Sequence, residues 1–493
     1  MRIARFLTPV LLASTLAAFA AEIPDRPEKL SFPPLAYEPP SPAASRVALQ
    51  SGPVAYVVPD RELPLVNISI LVRTGKYLEP AGKQGLANLT GYLLARGGTK
   101  SKTAEQLEER LAFLAAHLES GVSDTEGRVG LNLLAKDVDE GLAILREVLT
   151  APRFQDDKIA LRKAQMLQDM KQRNDESATI EGREAQRLAF GKDFFVTKLD
   201  TAASVEAITR ADLEGFHRRW FAPQNFVLAV SGDFDRDAMI KKLEQTFANW
   251  PFPGEKPGPV PDAPTFAKHG VYIVNKDVNQ SRLEVMLPGI MRENPDMIAV
   301  AVMNDLLGGG GFTSRLMNRV RSDEGLAYGV SSRFQGGVYY PTPFQAALQT
   351  KSGTTAYAAS IVLEEMKSLA TAPVTDIELN TTKRGIIDTF PRRFASKAQF
   401  AGTFATDEFT GRYAKQPDYW QTFRAKVGAV TKDDVQRVAA KYLTPDRVVI
   451  LVVGDKQEVL KGHPDHAMTL QSLGGEIVDL PLLDPLTLQP LAK

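Results

Sequence analysis

The sequence of 493 residues contains no cysteine. This absence excludes disulfide bonds, thiolate zinc sites, a cysteine nucleophile and a lipid-modified N-terminal cysteine. The sequence also lacks an excess of charge of either sign, because 59 Lys and Arg residues balance 59 Asp and Glu residues. We therefore expect neither a basic surface for nucleic acid nor a polybasic patch for membranes.

Long apolar runs are scarce, and one of them opens the chain. Arg2 and Arg5 precede the run FLTPVLLASTLAAF, which is followed by a cleavage pattern of small residues ending at Ala20. The pattern predicts a signal peptide over residues 1–20, because the run is short for a membrane span. We expect an exported, periplasmic protein with no membrane span after cleavage; the alternative is an uncleaved N-terminal anchor.

Two proline-rich stretches divide the rest of the chain. Residues 21–43 predict an extended lead-in, and residues 251–267, which include PFPGEKPGPVPDAPTF, predict a linker. The linker separates an N-terminal domain, residues 44–250, from a C-terminal domain, residues 268–493.

The two domains share a repeated segment. Residues 208–233 align without a gap with residues 430–455, and each copy predicts a helix with a threonine N-cap, a proline break and a buried strand ending at Gly-Asp. A period this long indicates a tandem duplication rather than a solenoid. We predict an α+β fold of two homologous domains, each a mostly antiparallel sheet with helices on one face.

Residues 85–99, GLANLTGYLLARGGT, predict a short amphipathic helix that Gly97 and Gly98 end. Its polar face carries Asn88, Gly91 and Tyr92 at positions i, i+3 and i+4. Zinc peptidases with a His-x-x-Glu-His motif place two ligands and a base at this spacing.

Three segments, in order along a chain with a duplicated domain, resemble the pitrilysin/insulinase family of zinc peptidases. They are LPLVNISILVRTGKYLEPAGKQGLANL, APRFQDDKIALRKAQMLQDMKQ and GGGGFTSRLMNRVRSDEGLAYGV. The resemblance runs from about Arg46 to Asp455. It implies that residues 88, 91 and 92 stand where the family carries its metal motif, and that Gln168 or Asp169 stands near its third ligand.

The residues at these positions do not suit zinc. Asn is a poor zinc ligand, Gly has no side chain, and Tyr does not replace imidazole at neutral pH. His463 and His466 have a metal-like spacing, but they lie in a proline-containing loop typical of solvent-exposed residues. We predict a degenerate metal site and no metal in this chain.

In the second domain, the resemblance implies that the family's substrate-facing Arg and Tyr are Arg321 and Tyr328 here. The Arg can bind a substrate carbonyl, and the phenol can donate to a developing oxyanion. The alternative is that Arg321 is a solvated helix residue and Tyr328 a partly buried aromatic.

The loop of Gly308, Gly309, Gly310 and Gly311 resembles a substrate-handling glycine-rich loop in a non-catalytic family subunit; an ordinary flexible turn is the alternative. Residues 116–134 resemble a substrate-pairing strand; an ordinary sheet strand with an adjoining loop is the alternative.

Some members of the family are heterodimers that divide these parts between two chains. The resemblance therefore implies that this chain is the zinc-free subunit of a periplasmic metallopeptidase, with Arg321 and Tyr328 acting in trans on a peptide. Zinc is expected in a homologous partner that carries His-x-x-Glu-His, and this chain is not expected to be a metallopeptidase on its own. A catalytically inactive scaffold or peptide-binding pseudopeptidase remains the alternative.

Overall fold

The computed structural model describes residues 25–26, 30, 36–262 and 264–491. The predicted signal peptide and its cleavage site lie outside the described residues. All elements discussed below belong to the unit Pro39–Lys493. In the described part of the chain, no helix is long and apolar enough to cross a membrane.

The N-terminal half forms a six-stranded sheet with helices on one face. Its strands are Arg46–Ala48 (β1), Val54–Pro59 (β2), Leu65–Val72 (β3), His117–Val122 (β4), Gly127–Leu134 (β5) and Phe226–Gly232 (β6). Its helices are Leu86–Arg96 (α1), Ala104–Phe113 (α2), Val138–Thr150 (α3), Asp156–Lys171 (α4), Ser177–Phe190 (α5), Ala202–Ala207 (α6), Arg210–Trp220 (α7) and Arg236–Phe247 (α8).

The C-terminal half repeats this plan. Its strands are Gly270–Asn275 (β7), Gln280–Ile290 (β8), Val330–Arg333 (β9), Thr342–Lys351 (β10), Val449–Gly454 (β11) and Glu476–Leu480 (β12). Its helices are Met297–Asn304 (α9), Thr355–Thr371 (α10), Asp376–Thr389 (α11), Lys397–Phe409 (α12), Arg412–Lys415 (α13), Tyr419–Ala429 (α14), Lys432–Tyr442 (α15) and Lys456–Lys461 (α16).

The two sheets share five strands in the same order and directions. The first sheet runs β1-β2-β6-β3-β5-β4 and the second β12-β7-β11-β8-β10-β9. In each, one inner parallel pair, β2 with β6 and β7 with β11, joins an antiparallel set of four strands. The α+β prediction is confirmed, and the matching order is what a tandem duplication produces.

The repeated segment forms the same structure twice. Thr209 caps α7 and Thr431 caps α15, each in a capping box with an Asp three residues later. The strands that follow, β6 and β11, are buried along their whole length. Helix α2 ends at Phe113, because Ala115 has a φ of 48° and His117 begins β4.

Each sheet also carries, on its other face, a helix from the opposite half. Helix α5 packs on the second sheet through Ile180, Ala185 and Leu188, which contact residues of β7, β8 and β11. Helix α12 packs on the first sheet, where Phe404 stacks on Tyr56 at a ring-centroid distance of 6.2 Å. The sequence patterns predicted helices on one face and contained no signal for this exchange.

The chain beyond Asp455 returns to both halves. Strand β12 adds to the second sheet beside β7 in parallel. Farther on, Leu483 O accepts a hydrogen bond from Asn174 Nδ2, and Leu486 O accepts one from Ala202 N. The tail therefore contacts the first half as well as completing the second sheet.

Candidate functional site

Helix α1 lies directly against the edge strand β4. A Cβ atom at Gly91 would lie 2.4 Å from Val122 N, so this position admits no side chain without a backbone shift. The Ser120 hydroxyl donates to Gly91 O at 2.6 Å and accepts from Ala95 N at 3.0 Å. The edge strand therefore occupies the space that a glutamate at position 91 would need.

The outer face of α1 is covered by arginine. The Tyr92 ring lies between two guanidinium groups, with Arg162 Cζ 4.2 Å and Arg96 Cζ 4.6 Å from its centroid. Arg162 Nη2 also lies 3.4 Å from Asn88 Oδ1. Arg162 comes from α4 and was not predicted to belong to this site, because no local pattern marks which face of that helix meets α1.

A cavity of about 400 Å³ lies in front of Asn88. Asp169 lines it and Gln168 does not, so the structure places Asp169 nearer to this position. Glu79 Oε1 accepts hydrogen bonds from Gly85 N at 3.1 Å and Ala87 N at 2.8 Å. Burial outweighs these bonds and raises the pKa of Glu79 to about 7.

The residues around Asn88 do not fit a zinc ion. Tyr92 is held between guanidinium groups, and Arg162 places a positive charge where a cation would bind. Within the described ranges, no group of three or more His, Cys, Asp or Glu is arranged to hold a metal. His466 instead stacks on Tyr357 with ring centroids 3.8 Å apart, and His463 lies beside it.

The glycine-rich segment of the second half is an ordered turn. It continues α9 as a π-helical turn, Asp305–Gly309, and a 3₁₀ turn, Gly311–Thr313. A Cβ atom at Gly308 would lie 2.6 Å from Ser332 N of β9, whereas one at Gly311, whose φ is 61°, would meet nothing within 4 Å. Gly308 therefore brings a helical backbone onto an edge strand, as Gly91 does in the first half.

Arg321 and Tyr328 lie together next to this turn. Arg321 Cζ is 4.8 Å from the Tyr328 ring centroid and 4.9 Å from that of Phe312. Both rings are strongly exposed, Tyr328 at 88% and Phe312 at 71%. Phe312 was not predicted to belong to this site, although an aromatic residue directly after four glycines is a signal visible in the sequence.

The segment predicted to pair with substrate is a β-hairpin. Strand β4 lies at one end of the first sheet and pairs with β5 along its other side. Its outer side meets α1 at Gly91 and Ser120, so the helix already covers part of that edge. Pairing with a peptide stays a prediction.

Comparisons with known proteins assign both halves of the chain to one family. Residues 57–190 match the family described as insulinase, peptidase family M16, and residues 207–386 match the peptidase M16 inactive domain. A Helicobacter pylori protein named non-peptidase homolog YmxG is 26% identical over 339 residues, 67% of this chain and 76% of that protein. A Rickettsia bellii protein named an uncharacterized zinc protease is 26% identical over 288 residues, 56% and 68% of the two chains.

Solved structures show the same fold. The M16 inactive domain from Pseudomonas fluorescens superposes with a TM-score of 0.74 at 26% identity, covering 83% of this chain and 97% of that one. The periplasmic protease PqqL from Escherichia coli gives a TM-score of 0.69 at 16% identity, covering 90% and 49%. The chain belongs to the insulinase (M16) family of peptidases, as the sequence segments indicated.

Proposed function

We propose that this chain is the zinc-free subunit of a heterodimeric periplasmic metallopeptidase. In this proposal a homologous partner carries His-x-x-Glu-His and zinc, and this chain supplies Arg321 and Tyr328 in trans to a peptide or unfolded segment.

The observation that carries the proposal is the contrast between two surfaces of one chain. At the positions that the resemblance assigns to the family's metal motif, Tyr92 contacts two arginine side chains and Gly91 rests against the edge strand. The Arg321–Tyr328 pair is held together by contact of the guanidinium with two exposed rings. A cation–aromatic arrangement of this kind pre-orients the side chain while leaving guanidinium N–H groups available for a ligand.

The chemistry available to the pair is hydrogen-bond donation. The planar guanidinium of Arg321 donates to a peptide carbonyl and holds the backbone in place. The Tyr328 hydroxyl donates to oxygen as negative charge develops on it, and one such donor is worth about 3 kcal/mol of transition-state stabilisation. The partner would supply the metal and the activated water.

The test is a pull-down of the tagged mature chain from a periplasmic extract of cells that produce it, with mass spectrometry and zinc analysis. We expect a stoichiometric partner with His-x-x-Glu-His and about one zinc per pair, as a catalytic site of this type requires. A chain that elutes alone and without zinc would contradict the heterodimer.

A catalytically inactive, peptide-binding pseudopeptidase is the second candidate. It is favoured by the filled surface around Tyr92 and by the likeness to the Helicobacter pylori protein named a non-peptidase homolog. The two candidates differ in one result: only the first predicts loss of turnover by the assembled pair when Arg321 is substituted.

A further inference from the structure

A second cavity, of about 990 Å³, lies away from the Arg321–Tyr328 pair. Residues of the segment from Ile386 to Phe423 form most of its wall, and Arg128, Arg292 and Val338 complete it. Its volume is at the upper end of the range typical of ligand pockets. The cavity takes no part in the chemistry proposed above.

The wall of this cavity is unusually basic for a protein with no net charge. Five arginines line it, and the accompanying acidic residue is Asp407. Arg412 approaches Asp407 at 3.4 Å, Arg292 pairs with Glu293 at 3.0 Å, and Arg128 pairs with Glu126 at 3.1 Å. These three pairs leave the two adjacent arginines, 392 and 393, as the charges that remain.

Arg392 and Arg393 have no carboxylate within ion-pair distance anywhere in the described part of the chain. The Arg393 guanidinium instead lies 4.4 Å from the Trp420 ring centroid. Burial, with the neighbouring charge of Arg412, lowers the pKa of Arg393. A guanidinium in this setting gains from an anion, because the anion forms a charge-assisted hydrogen bond with it and offsets the repulsion from Arg412.

Aromatic side chains form the other part of the wall. Phe390 and Phe423 stack at a centroid distance of 5.4 Å, and Trp420 lies beside both. Trp420 is fixed through its indole N–H, which donates to Asp407 Oδ2 at 2.6 Å. Phe390 and Trp420 are each only 5% exposed, so the accessible apolar part of the wall consists of Ile386, Phe423 and Val338.

We propose that this cavity binds the carboxylate of a peptide, with an adjoining apolar side chain against Ile386, Phe423 and Val338. A carboxylate matches the planar fork of Arg393 in two parallel hydrogen bonds, and Arg392 adds a second positive charge. These three apolar side chains favour a peptide over a small inorganic anion, which would leave them in contact with water. The proposal does not require Arg321 or Tyr328 to act on a substrate.

The test measures binding of two fluorescent hexapeptides to the full mature chain. Both end in Leu-Phe; one has a free C-terminal carboxylate and the other a C-terminal amide. We expect the free acid to bind at least about tenfold more tightly than the amide, and Arg393→Gln to weaken acid binding by about tenfold, as one charge-assisted pair predicts. Arg393→Lys should restore binding only in part, because it keeps the charge and loses the fork.

Two further variants keep the test sharp. Arg392→Gln removes a side chain with no ion-pair partner to lose among the described residues, so a folding defect is not expected, and it should weaken acid binding several-fold. Arg218→Gln removes an exposed arginine of α7 and should bind both peptides like the unsubstituted chain.

Three results would overturn the proposal. The first is equal binding of acid and amide, and the second is unchanged acid binding in both Arg392→Gln and Arg393→Gln. The third is displacement of the acid peptide by inorganic phosphate at the concentration at which unlabelled peptide displaces it, since this would assign the cavity to small oxyanions.

Discussion

The two halves of this chain make the same contact between a helix and an edge strand, and then diverge. In the first half Gly91 lets α1 rest on β4, and in the second half Gly308 lets the π-helical turn after α9 rest on β9. Next to that contact, arginine side chains cover the Tyr92 ring in the first half. In the second half, the Arg321 guanidinium contacts two exposed aromatic rings. The comparison teaches that the two halves pack a helical backbone on an edge strand in the same way and differ in the side chains that surround the contact.

The exchanged helices give a second comparison. On the first sheet, Glu408 of α12 accepts hydrogen bonds from Arg46 at 2.9 Å and from the Tyr56 hydroxyl at 3.0 Å. On the second sheet, Glu181 of α5 pairs with Arg282 at 3.2 Å but lies near another buried carboxyl, Glu284. Helix α12 is anchored by a carboxylate whose charge Arg46 compensates. Helix α5 instead covers the carboxyl groups of Glu181 and Glu284, whose negative charges would repel each other.

The largest effect we expect separates the two halves by activity. Arg321→Gln should lower turnover by the assembled zinc-bearing pair by 100-fold or more, about 3 to 4 kcal/mol, because a positioned donor to the transition state is lost. Steady-state kinetics measure this, with complex formation checked by gel filtration. Arg162→Gln, in the closed first half, is the matched control, and an equal loss in that variant would contradict the assignment of activity to the second half.

The second prediction concerns the neighbouring carboxyl groups of Glu181 and Glu284. Burial, with the nearby charge of Glu181, raises the pKa of Glu284 to about 7. In the folded chain Glu284 thus keeps its proton at pH values where the unfolded chain has lost it, so its contribution to stability is full below about pH 4.5 and is lost as the pH rises through about 7. Glu284→Gln should raise the free energy of unfolding at pH 8 by roughly 3 kcal/mol and leave it nearly unchanged at pH 4.

The anchor of the other exchanged helix should respond in the opposite direction. Although burial opposes ionisation of Glu408, the hydrogen bonds from Arg46 and Tyr56 outweigh it and lower its pKa. Glu408→Gln should therefore cost about 2 kcal/mol at pH 8, and the cost should shrink as the pH falls below the ordinary carboxyl range. Denaturant titrations of both variants at pH 4 and pH 8 measure the contrast, and a shift of the same sign in both would remove it.

The third comparison concerns the glycine contacts. Gly91→Ala should lower the free energy of unfolding by about 2 kcal/mol, because a new methyl group meets the β4 backbone and outweighs the gain in helix propensity. Gly215→Ala in α7 is the control: its Cβ would meet nothing within 4 Å, so it should stabilise by up to about 1 kcal/mol. Stabilisation of similar size in both variants would mean that α1 is free to move away from the edge strand.

The smallest expected effect tests how Arg321 is held. Phe312→Ala removes one of the two rings beside the guanidinium, and an exposed cation–aromatic contact is worth about 0.5 to 1 kcal/mol. We expect a two- to fivefold loss of turnover by the assembled pair and little change in thermal stability. Phe113→Ala removes another exposed aromatic residue that contacts an arginine, Arg110, and should leave turnover unchanged.

The sequence by itself determined the elements and their repetition. Threonine caps, proline breaks and β-branched runs are local signals. Helix α7 with β6, and α15 with β11, were therefore predictable from one short segment that occurs twice in the sequence. The identity of residues 88, 91 and 92 likewise excluded zinc ligands without any coordinates, because ligand chemistry belongs to the side chain itself.

Only the tertiary structure decided which distant residues meet. The exchange of α5 and α12, the stacking of Arg162 on Tyr92 and the lining of one cavity by both Arg128 and Arg393 join residues far apart in the chain. No local pattern records such pairings, since an exposed arginine on a helix has the same sequence signature whether it faces water, an aromatic ring or a cavity. Gly91 shows the same limit: its cost to the helix was visible in the sequence, and the strand backbone that requires it was not.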